Sequence, residues 1–137
     1  MTAIYTAIAT STGRDGHSVT NDGKLDLTLA MPKELGGDGN GTNPEQLFAV
    51  GYSACFASAM KLVAARQQVD ASEASVTAEV GLNPLDGGRF GLSVVLRVEL
   101  PDHLQGEAGR KLVEATHQVC PYSNATRGNI PVDLVIE

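Results

Sequence analysis

The sequence predicts an α+β fold in which a mostly antiparallel sheet wraps around a buried central helix. Segments with alternating apolar residues cluster before and after the helical segments, a distribution typical of this class. Residues 47–60, within one long helical segment, are apolar or small on all sides, as expected of a helix buried on every face. The length of 137 residues and the hydrophobic content of 42% suit one domain, which we place over residues 1–137.

The first third of the chain predicts a strand, a hairpin and a loop. Apolar and hydroxyl residues alternate over residues 2–12, which indicates a strand. Residues 16–30 alternate around an Asp22-Gly23 turn and predict a hairpin. Residues 36–42 are rich in glycine but lack the Gly-Lys-Ser/Thr ending of a phosphate-binding loop, so we interpret them as a flexible approach to the next helix.

The central helix has a clear start. Asn43 is a good N-cap, Pro44 suits the first helical position, and Gln46 can complete a capping box. The pattern predicts that the helix extends to about Gln68.

Two strands, a second helix and an edge strand complete the prediction. Alternation over 76–82 and 92–100 indicates long strands joined by a turn. Asp102 with Gln105 is expected to cap a helix, whose apolar stripe is Leu104, Ala108, Leu112, Ala115 and Val119. Pro121 interrupts that helix and leaves Cys120 at the break, and alternation over 130–136 predicts a closing edge strand.

Composition excludes several classes of function. The net charge of −6, without any Lys/Arg cluster, argues against a nucleic-acid partner. The longest charge-free apolar stretch, 47–60, is short for a bilayer span of about 20 residues, so we expect no membrane role. Residues 1–5 show no secretory signal, and we expect a cytoplasmic protein, in which two cysteines are ordinarily buried, reduced thiols.

Cys55 requires a cation from another segment to lower its pKa if it is to react. Burial in an apolar helix raises a thiol pKa, and Cys55 lies too far from the helix start for the dipole to lower it. The best candidate cation is Arg14, in the tight loop Gly13-Arg14-Asp15-Gly16, and Glu45 could orient it. The alternatives are a solvated turn arginine and an acid that merely favours the helix dipole.

Cys120 is expected to be the more exposed cysteine because it lies beside Pro121 at the helix break. His117 lies one turn earlier, on the same helix face. A zinc site is a weak interpretation, since no Cys-x-x-Cys occurs and the other histidines are isolated, so we predict no bound metal.

Two motifs give the sequence a family resemblance. Residues 41–56 read Gly-Thr-Asn-Pro-Glu-Gln-Leu-Phe-Ala-Val-Gly-Tyr-Ser-Ala-Cys-Phe, and residues 119–130 read Val-Cys-Pro-Tyr-Ser-Asn-Ala-Thr-Arg-Gly-Asn-Ile. Together they closely resemble the two cysteine motifs of the organic hydroperoxide resistance family, within the OsmC-like superfamily. The resemblance extends along the whole chain.

The resemblance implies a thiol-dependent peroxidase with an OsmC-like fold. Cys55 corresponds to the peroxidatic cysteine and Cys120 to the resolving one, with Arg14 stabilising the thiolate and Glu45 orienting Arg14. The substrate would be an organic hydroperoxide, reduced to an alcohol through a sulfenic acid and a Cys55–Cys120 disulfide. Lipoyl groups on carrier proteins would supply the external dithiol, and no bound metal, flavin or haem is required.

Helix geometry and the resemblance both predict an intertwined homodimer. Glu45 and Cys55 are ten residues apart, which separates them by about 15 Å along a straight helix and turns them about 80° apart. Glu45 therefore cannot join the Cys55 site of its own chain, whereas a two-fold axis could bring in the partner's copy.

Three other interpretations stay open on sequence alone. The chain could be an OsmC-like peroxidase with another peroxide preference, a thiol redox sensor that oxidises without turnover, or a protein with two inert core thiols.

Overall fold

The computed structural model describes all 137 residues, which form two compact units, Met1–Leu47 and Phe48–Glu137. Both contain strands, and the second contains most of the helical residues, so the α+β class is confirmed. The strands form two separate three-stranded sheets rather than one.

The first unit contains a small antiparallel sheet of β1 (Ala9–Ser11), β2 (His17–Thr20) and β3 (Asp26–Thr28). The predicted hairpin is confirmed, and Gly23 in its turn has a positive φ of 73°. The strand predicted over 2–12 is reduced to β1, because the alternating residues before it have no neighbouring strand in this unit with which to pair.

Helix α1 (Pro44–Gln67) begins with the predicted capping box. The Gln46 amide donates to Asn43 Oδ1 at 2.8 Å, and the Asn43 amide donates to Gln46 Oε1 at 3.3 Å. Gln68 follows the last helical residue with φ 58°, a left-handed conformation that ends the helix. Both predicted ends are therefore confirmed.

The second unit contains β4 (Ser75–Pro84), β5 (Phe90–Glu99), α2 (Glu107–Val119), α3 (Pro121–Thr126) and β6 (Val132–Ile136). β5 lies between β4, to which it is antiparallel, and β6, to which it is parallel. Every strand pairing except β5–β6 is antiparallel, which confirms the mostly antiparallel prediction.

The predicted start of the second helix is wrong. Asp102 and Leu104 belong to a separate 3-10 turn, and α2 begins only at Glu107, after Gly106 with φ 78°. The later start changes the face that is buried: Ala108 is exposed, and Gly109 packs inward instead. A Cβ on Gly109 would lie 2.1 Å from the carbonyl oxygen of Leu104, so only glycine permits this approach.

The core of the second unit lies between α1, β5 and α2. Its fully buried members include Tyr52 and Phe56 from α1, Leu96 from β5 and Leu112 from α2. All are less than 2% exposed, so α1 presents one face to this core.

The opposite side of α1 is exposed in the single chain, so one chain alone does not bury this helix on every side as the sequence predicted. Val50 is 67% exposed and Leu62 is 48% exposed. By length and composition α1 could also cross a membrane, although the core helix of a soluble protein passes the same test.

Candidate active site

The two cysteines, 65 positions apart in sequence, are neighbours in the second unit. Both are free thiols, and Cys120 Sγ lies 3.5 Å from Cys55 Sγ. A disulfide has an S–S length of about 2.05 Å, so bond formation requires a further approach of about 1.5 Å.

The relative exposure of the cysteines is the reverse of the prediction. Cys120 is completely buried, whereas Cys55 is half-buried. The backbone at Cys120 (φ −59°, ψ 123°) turns between α2 and α3 and leaves its side chain inside the core, so the proline break does not expose it.

The surroundings of Cys55 do not activate its thiol. Burial raises the pKa of Cys55 most, and the neighbouring Cys120 raises it further. The backbone N–H of Tyr122 hydrogen-bonds the Cys55 sulfur and lowers the pKa, but it carries no net charge. None of these groups is a cation, and a cation supplied by another segment remains a prediction.

Arg14 and Glu45 form the ion pair predicted from the sequence. Arg14 Nη1 donates to Glu45 Oε2 at 3.0 Å and Nη2 donates to Oε1 at 2.5 Å, which is a bidentate geometry. The Glu45 side chain is only 16% exposed, against 36% for Arg14. Hydrogen bonding from Arg14 lowers the pKa of Glu45 despite its partial burial, so the carboxylate is ionised.

The loop that contains Arg14, residues 13–16, forms a tight turn between β1 and β2. The Gly16 amide donates to the Gly13 carbonyl at 3.1 Å, and Gly13 has a φ of 119°, a region that other residues rarely adopt. The loop thereby presents the guanidinium to Glu45, near the start of α1.

A group of polar side chains that the sequence prediction did not single out lies beside the cysteines. Tyr52 Oη contacts Ser123 Oγ at 2.8 Å and Thr126 Oγ1 at 3.1 Å, and all three residues are almost completely buried. His117 Nδ1 contacts Ser123 Oγ at 2.8 Å, so its ring bonds to Ser123. The sequence does contain a signal for this group of polar side chains. A tyrosine hydroxyl occurs within the apolar stretch 47–60, and further hydroxyl side chains occur in the second cysteine motif.

Three aromatic rings from α1 and α3 form a cluster. Phe48, Tyr52 and Tyr122 make mutual edge or tilted contacts, with ring centroids 5.6 to 6.1 Å apart. Tyr122 lies over Gly51 so closely that a Cβ there would be 2.6 Å from its hydroxyl oxygen. The glycine thus leaves room for the Tyr122 ring.

Comparisons with known proteins identify the family of this chain. The family model for the OsmC-like protein family matches residues 37–135. An organic hydroperoxide resistance protein of Xanthomonas axonopodis pv. citri is 52% identical over 136 residues, covering 97% of this chain and 94% of its own length. The chain belongs to the organic hydroperoxide resistance family of OsmC-like proteins.

Solved structures of the family match the whole fold. An organic hydroperoxide resistance protein from Legionella pneumophila is 48% identical with a TM-score of 0.94, and 99% of each chain is covered. The organic hydroperoxide resistance protein OhrB of Bacillus subtilis is 42% identical with a TM-score of 0.89, covering 98% of this chain and all of that one. These likenesses confirm the predicted OsmC-like fold, and the family's role is resistance to organic hydroperoxides.

Proposed function

We propose that this protein is a thiol-dependent peroxidase that reduces organic hydroperoxides to alcohols. The 3.5 Å separation of Cys55 Sγ and Cys120 Sγ carries the proposal, since it suits two thiols that alternate between reduced and disulfide forms. Cys55 is the peroxidatic cysteine because it is the more accessible of the two, and the buried Cys120 is the resolving cysteine.

The reaction proceeds in three balanced steps. The Cys55 thiolate attacks the terminal peroxide oxygen, the O–O bond breaks, and the released alkoxide takes a proton to become the alcohol. The Cys55 sulfenic acid then condenses with the Cys120 thiol to form the disulfide and one water. An external dithiol reduces the disulfide by exchange and is itself oxidised to a disulfide.

The thiolate is stabilised by Arg14, which Glu45 holds in place. We propose that this pair reaches Cys55 from the partner chain of a homodimer, because α1 continues unbroken from Glu45 to Cys55 and separates them by about 15 Å. Exposed apolar side chains support a second copy as the missing partner. They occur on α1 at Val50 and in the first unit at Ile4 and Tyr5, the latter two 106% and 78% exposed.

The expected substrate is a hydroperoxide with a sizeable apolar group. The backbone N–H of Tyr122 bonds to the Cys55 sulfur, and the Tyr122 ring packs edge-on against Phe48. Burial of an alkyl or aryl group against such apolar surface is favourable by about 25 cal/mol per Å². Hydrogen peroxide has no such surface to bury. We therefore expect a higher kcat/KM for cumene or fatty-acid hydroperoxide than for hydrogen peroxide.

Lipoyl groups on carrier proteins are the proposed physiological dithiol. We propose that the protein works in the cytoplasm and requires no bound metal or organic cofactor. One functional domain over residues 1–137 remains our prediction, supported by relatives that cover both units.

The number of peroxide molecules reduced per chain distinguishes a peroxidase from a redox sensor, which is oxidised only once. Peroxide consumption is measured with dihydrolipoamide, glutathione or thioredoxin as the reductant, using cumene hydroperoxide and hydrogen peroxide in turn. We expect many turnovers with dihydrolipoamide and cumene hydroperoxide. A single oxidation per chain with every reductant would contradict the proposal and favour a sensor, and equal kcat/KM for the two peroxides would favour another OsmC-like peroxidase branch.

A further inference from the structure

Four side chains that take no part in the proposed redox steps form one continuous hydrogen-bonded chain. It links His117 Nδ1 to Ser123 Oγ, Ser123 Oγ to Tyr52 Oη, and Tyr52 Oη to Thr126 Oγ1. Thr126 Oγ1 in turn donates to the Ser123 carbonyl oxygen at 3.2 Å. We call these residues, Tyr52, His117, Ser123 and Thr126, the hydroxyl chain.

Counting donors favours one direction of the chain. Each hydroxyl supplies one proton, and the Thr126 proton is used on the Ser123 carbonyl. Tyr52 must then donate to Thr126 Oγ1, Ser123 must donate to Tyr52 Oη, and His117 must donate from Nδ1 to Ser123 Oγ. In the reverse direction the Thr126 proton goes to Tyr52 Oη, and the Ser123 carbonyl oxygen keeps only the Arg127 amide as its donor, at 2.9 Å. That direction therefore makes three of the four hydrogen bonds, whereas the first makes all four. Neutral His117 is therefore the Nδ1–H tautomer.

The hydroxyl chain joins the two segments that contain the cysteines. Tyr52 lies three residues before Cys55 in α1, and Ser123 lies three residues after Cys120, in α3. The backbone of Cys120 is tied to α3 as well, because its carbonyl oxygen accepts from the Asn124 amide at 3.0 Å. Movement of α3 away from Tyr52 would therefore move Cys120 away from Cys55.

We propose that the hydroxyl chain is a positioning network that holds Cys120 against Cys55 and so sets the rate at which the Cys55 sulfenic acid is converted to the disulfide. Its members hydrogen-bond to one another and to neither sulfur atom. Loss of the chain should therefore slow the condensation, in which the S–O bond of Cys55 breaks and the S–S bond forms with release of water, without slowing attack on the peroxide. This inference rests on the proposed peroxidase function.

The first test removes only the Tyr52 hydroxyl. In Tyr52→Phe, quench-flow with intact-mass detection after one equivalent of cumene hydroperoxide separates sulfenic acid formation from disulfide formation. We expect sulfenic acid formation to stay within about twofold of wild type and disulfide formation to slow by at least about tenfold, since a 1 Å misplacement costs on the order of 100-fold. With excess peroxide, the long-lived sulfenic acid should give more sulfinic acid.

The matched control is Ser75→Ala, which removes the hydroxyl of an exposed serine on β4. Both steps should keep their wild-type rates in this variant. Ser123→Ala provides a second variant that breaks the chain at its centre, and thermal melts identify any variant that fails to fold.

His117 supplies a rescue test and a spectroscopic one. Asparagine can place an N–H where Nδ1–H lies, so His117→Asn should keep disulfide formation within about threefold of wild type, whereas His117→Ala should slow it like Tyr52→Phe. Nitrogen-15 NMR of the reduced wild-type protein at pH 8 should show protonated Nδ1 and unprotonated Nε2.

The outcomes separate this inference from the function on which it rests. If wild type forms no peroxide-dependent disulfide, the proposed function fails, while the tautomer still tests the hydrogen-bonded chain. If wild type does form the disulfide but folded Tyr52→Phe and Ser123→Ala form it equally fast, the positioning role is wrong. An Nε2–H tautomer, or equal slowing in both His117 variants, would also overturn it.

Discussion

At the scale of single residues, the two thiols differ in burial, and this difference supports the order proposed for them in the reaction. A half-buried Cys55 can meet a peroxide that enters from solvent, whereas a completely buried Cys120 cannot. Both cysteine roles came from the family resemblance, but the accessibility that supports them comes from the fold. Sequence reasoning about the Pro121 break predicted the opposite exposure.

Substitution of Cys55 and substitution of Cys120 should therefore block different steps of the reaction. Cys55→Ser should abolish even the first oxidation, because the buried Cys120 cannot replace it. Cys120→Ala should still form the sulfenic acid once but accumulate sulfinic acid instead of a disulfide. Intact mass after one and ten equivalents of peroxide measures both products, and alanine avoids placing a hydroxyl in the apolar core. Oxidation of Cys55→Ser at the wild-type rate would reverse the assignment.

The ion pair of Arg14 and Glu45 should give stability that depends on pH. The pKa of Glu45 is lowered in the folded state, so the stabilisation is present above the unfolded value of about 4.3 and is lost as the pH falls through the folded pKa. Arg14 stays charged throughout. At pH 7, Glu45→Gln should lower the free energy of unfolding by no more than about 1 kcal/mol, because the pair is partly exposed to solvent.

Urea denaturation of wild type and Glu45→Gln at a fixed protein concentration, from pH 7 to about pH 3, measures this dependence. The difference between the two proteins should narrow as the pH falls. A difference that stays constant over the whole range would show that Glu45 contributes by packing rather than by charge.

At the scale of elements, local signals predicted where α1 begins and ends, but they did not predict what surrounds the helix. Its start depends on hydrogen bonds between residues three apart, Asn43 and Gln46, which any helix at this position could make. The start of α2 was predicted wrongly because Asp102 and Gln105 look like caps, whereas the chain forms a 3-10 turn and resumes after Gly106. A cap pattern alone does not show how many residues follow in helical conformation.

The α1 cap can be tested directly. Asn43→Ala should destabilise the protein by about 1 kcal/mol, because it removes the oxygen that accepts the Gln46 amide and leaves that amide part-buried. Asn43→Ser should recover most of the loss, since serine is as good an N-cap. Asn40→Ala, at an exposed asparagine in the same loop, should change stability by less than about 0.5 kcal/mol. Urea denaturation measures all three, and equal losses at positions 40 and 43 would contradict a capping role.

At the scale of the whole molecule, one chain leaves apolar surface uncovered. The exposed side of α1 was predicted to be buried, and residues 2–8 were predicted to form a strand that the single chain does not form. The proposed homodimer would explain both differences between the prediction and the single chain, because a second copy would supply the contacts that bury the helix and pair the strand.

Mixed dimers test whether the partner completes the site. Chains carrying Glu45→Ala are co-refolded with chains carrying Cys55→Ser, and dimers containing one of each are purified through different tags. One of the two sites then combines an intact Cys55 with an intact Glu45 from the other chain. Activity should return to as much as half of the wild-type value per dimer.

The controls for this experiment are the two parent homodimers, each with both sites defective. Cys55→Ser should be inactive, and Glu45→Ala should be strongly impaired. Mixed dimers with no more activity than the mean of the parents would show that each chain builds its own site.

The sequence by itself determined the fold class, the family, the bounds of α1 and the hairpin, and it singled out Cys55, Cys120, Arg14 and Glu45 as candidate site residues. These follow from periodicity, from short-range hydrogen bonds and from motifs in which residue type carries the chemistry. Only the tertiary structure decided that Cys120 is buried, that Tyr52 bonds to Ser123, and that one side of α1 is left exposed. Those properties depend on side chains about 70 residues apart meeting in space, and no local pattern encodes such distances.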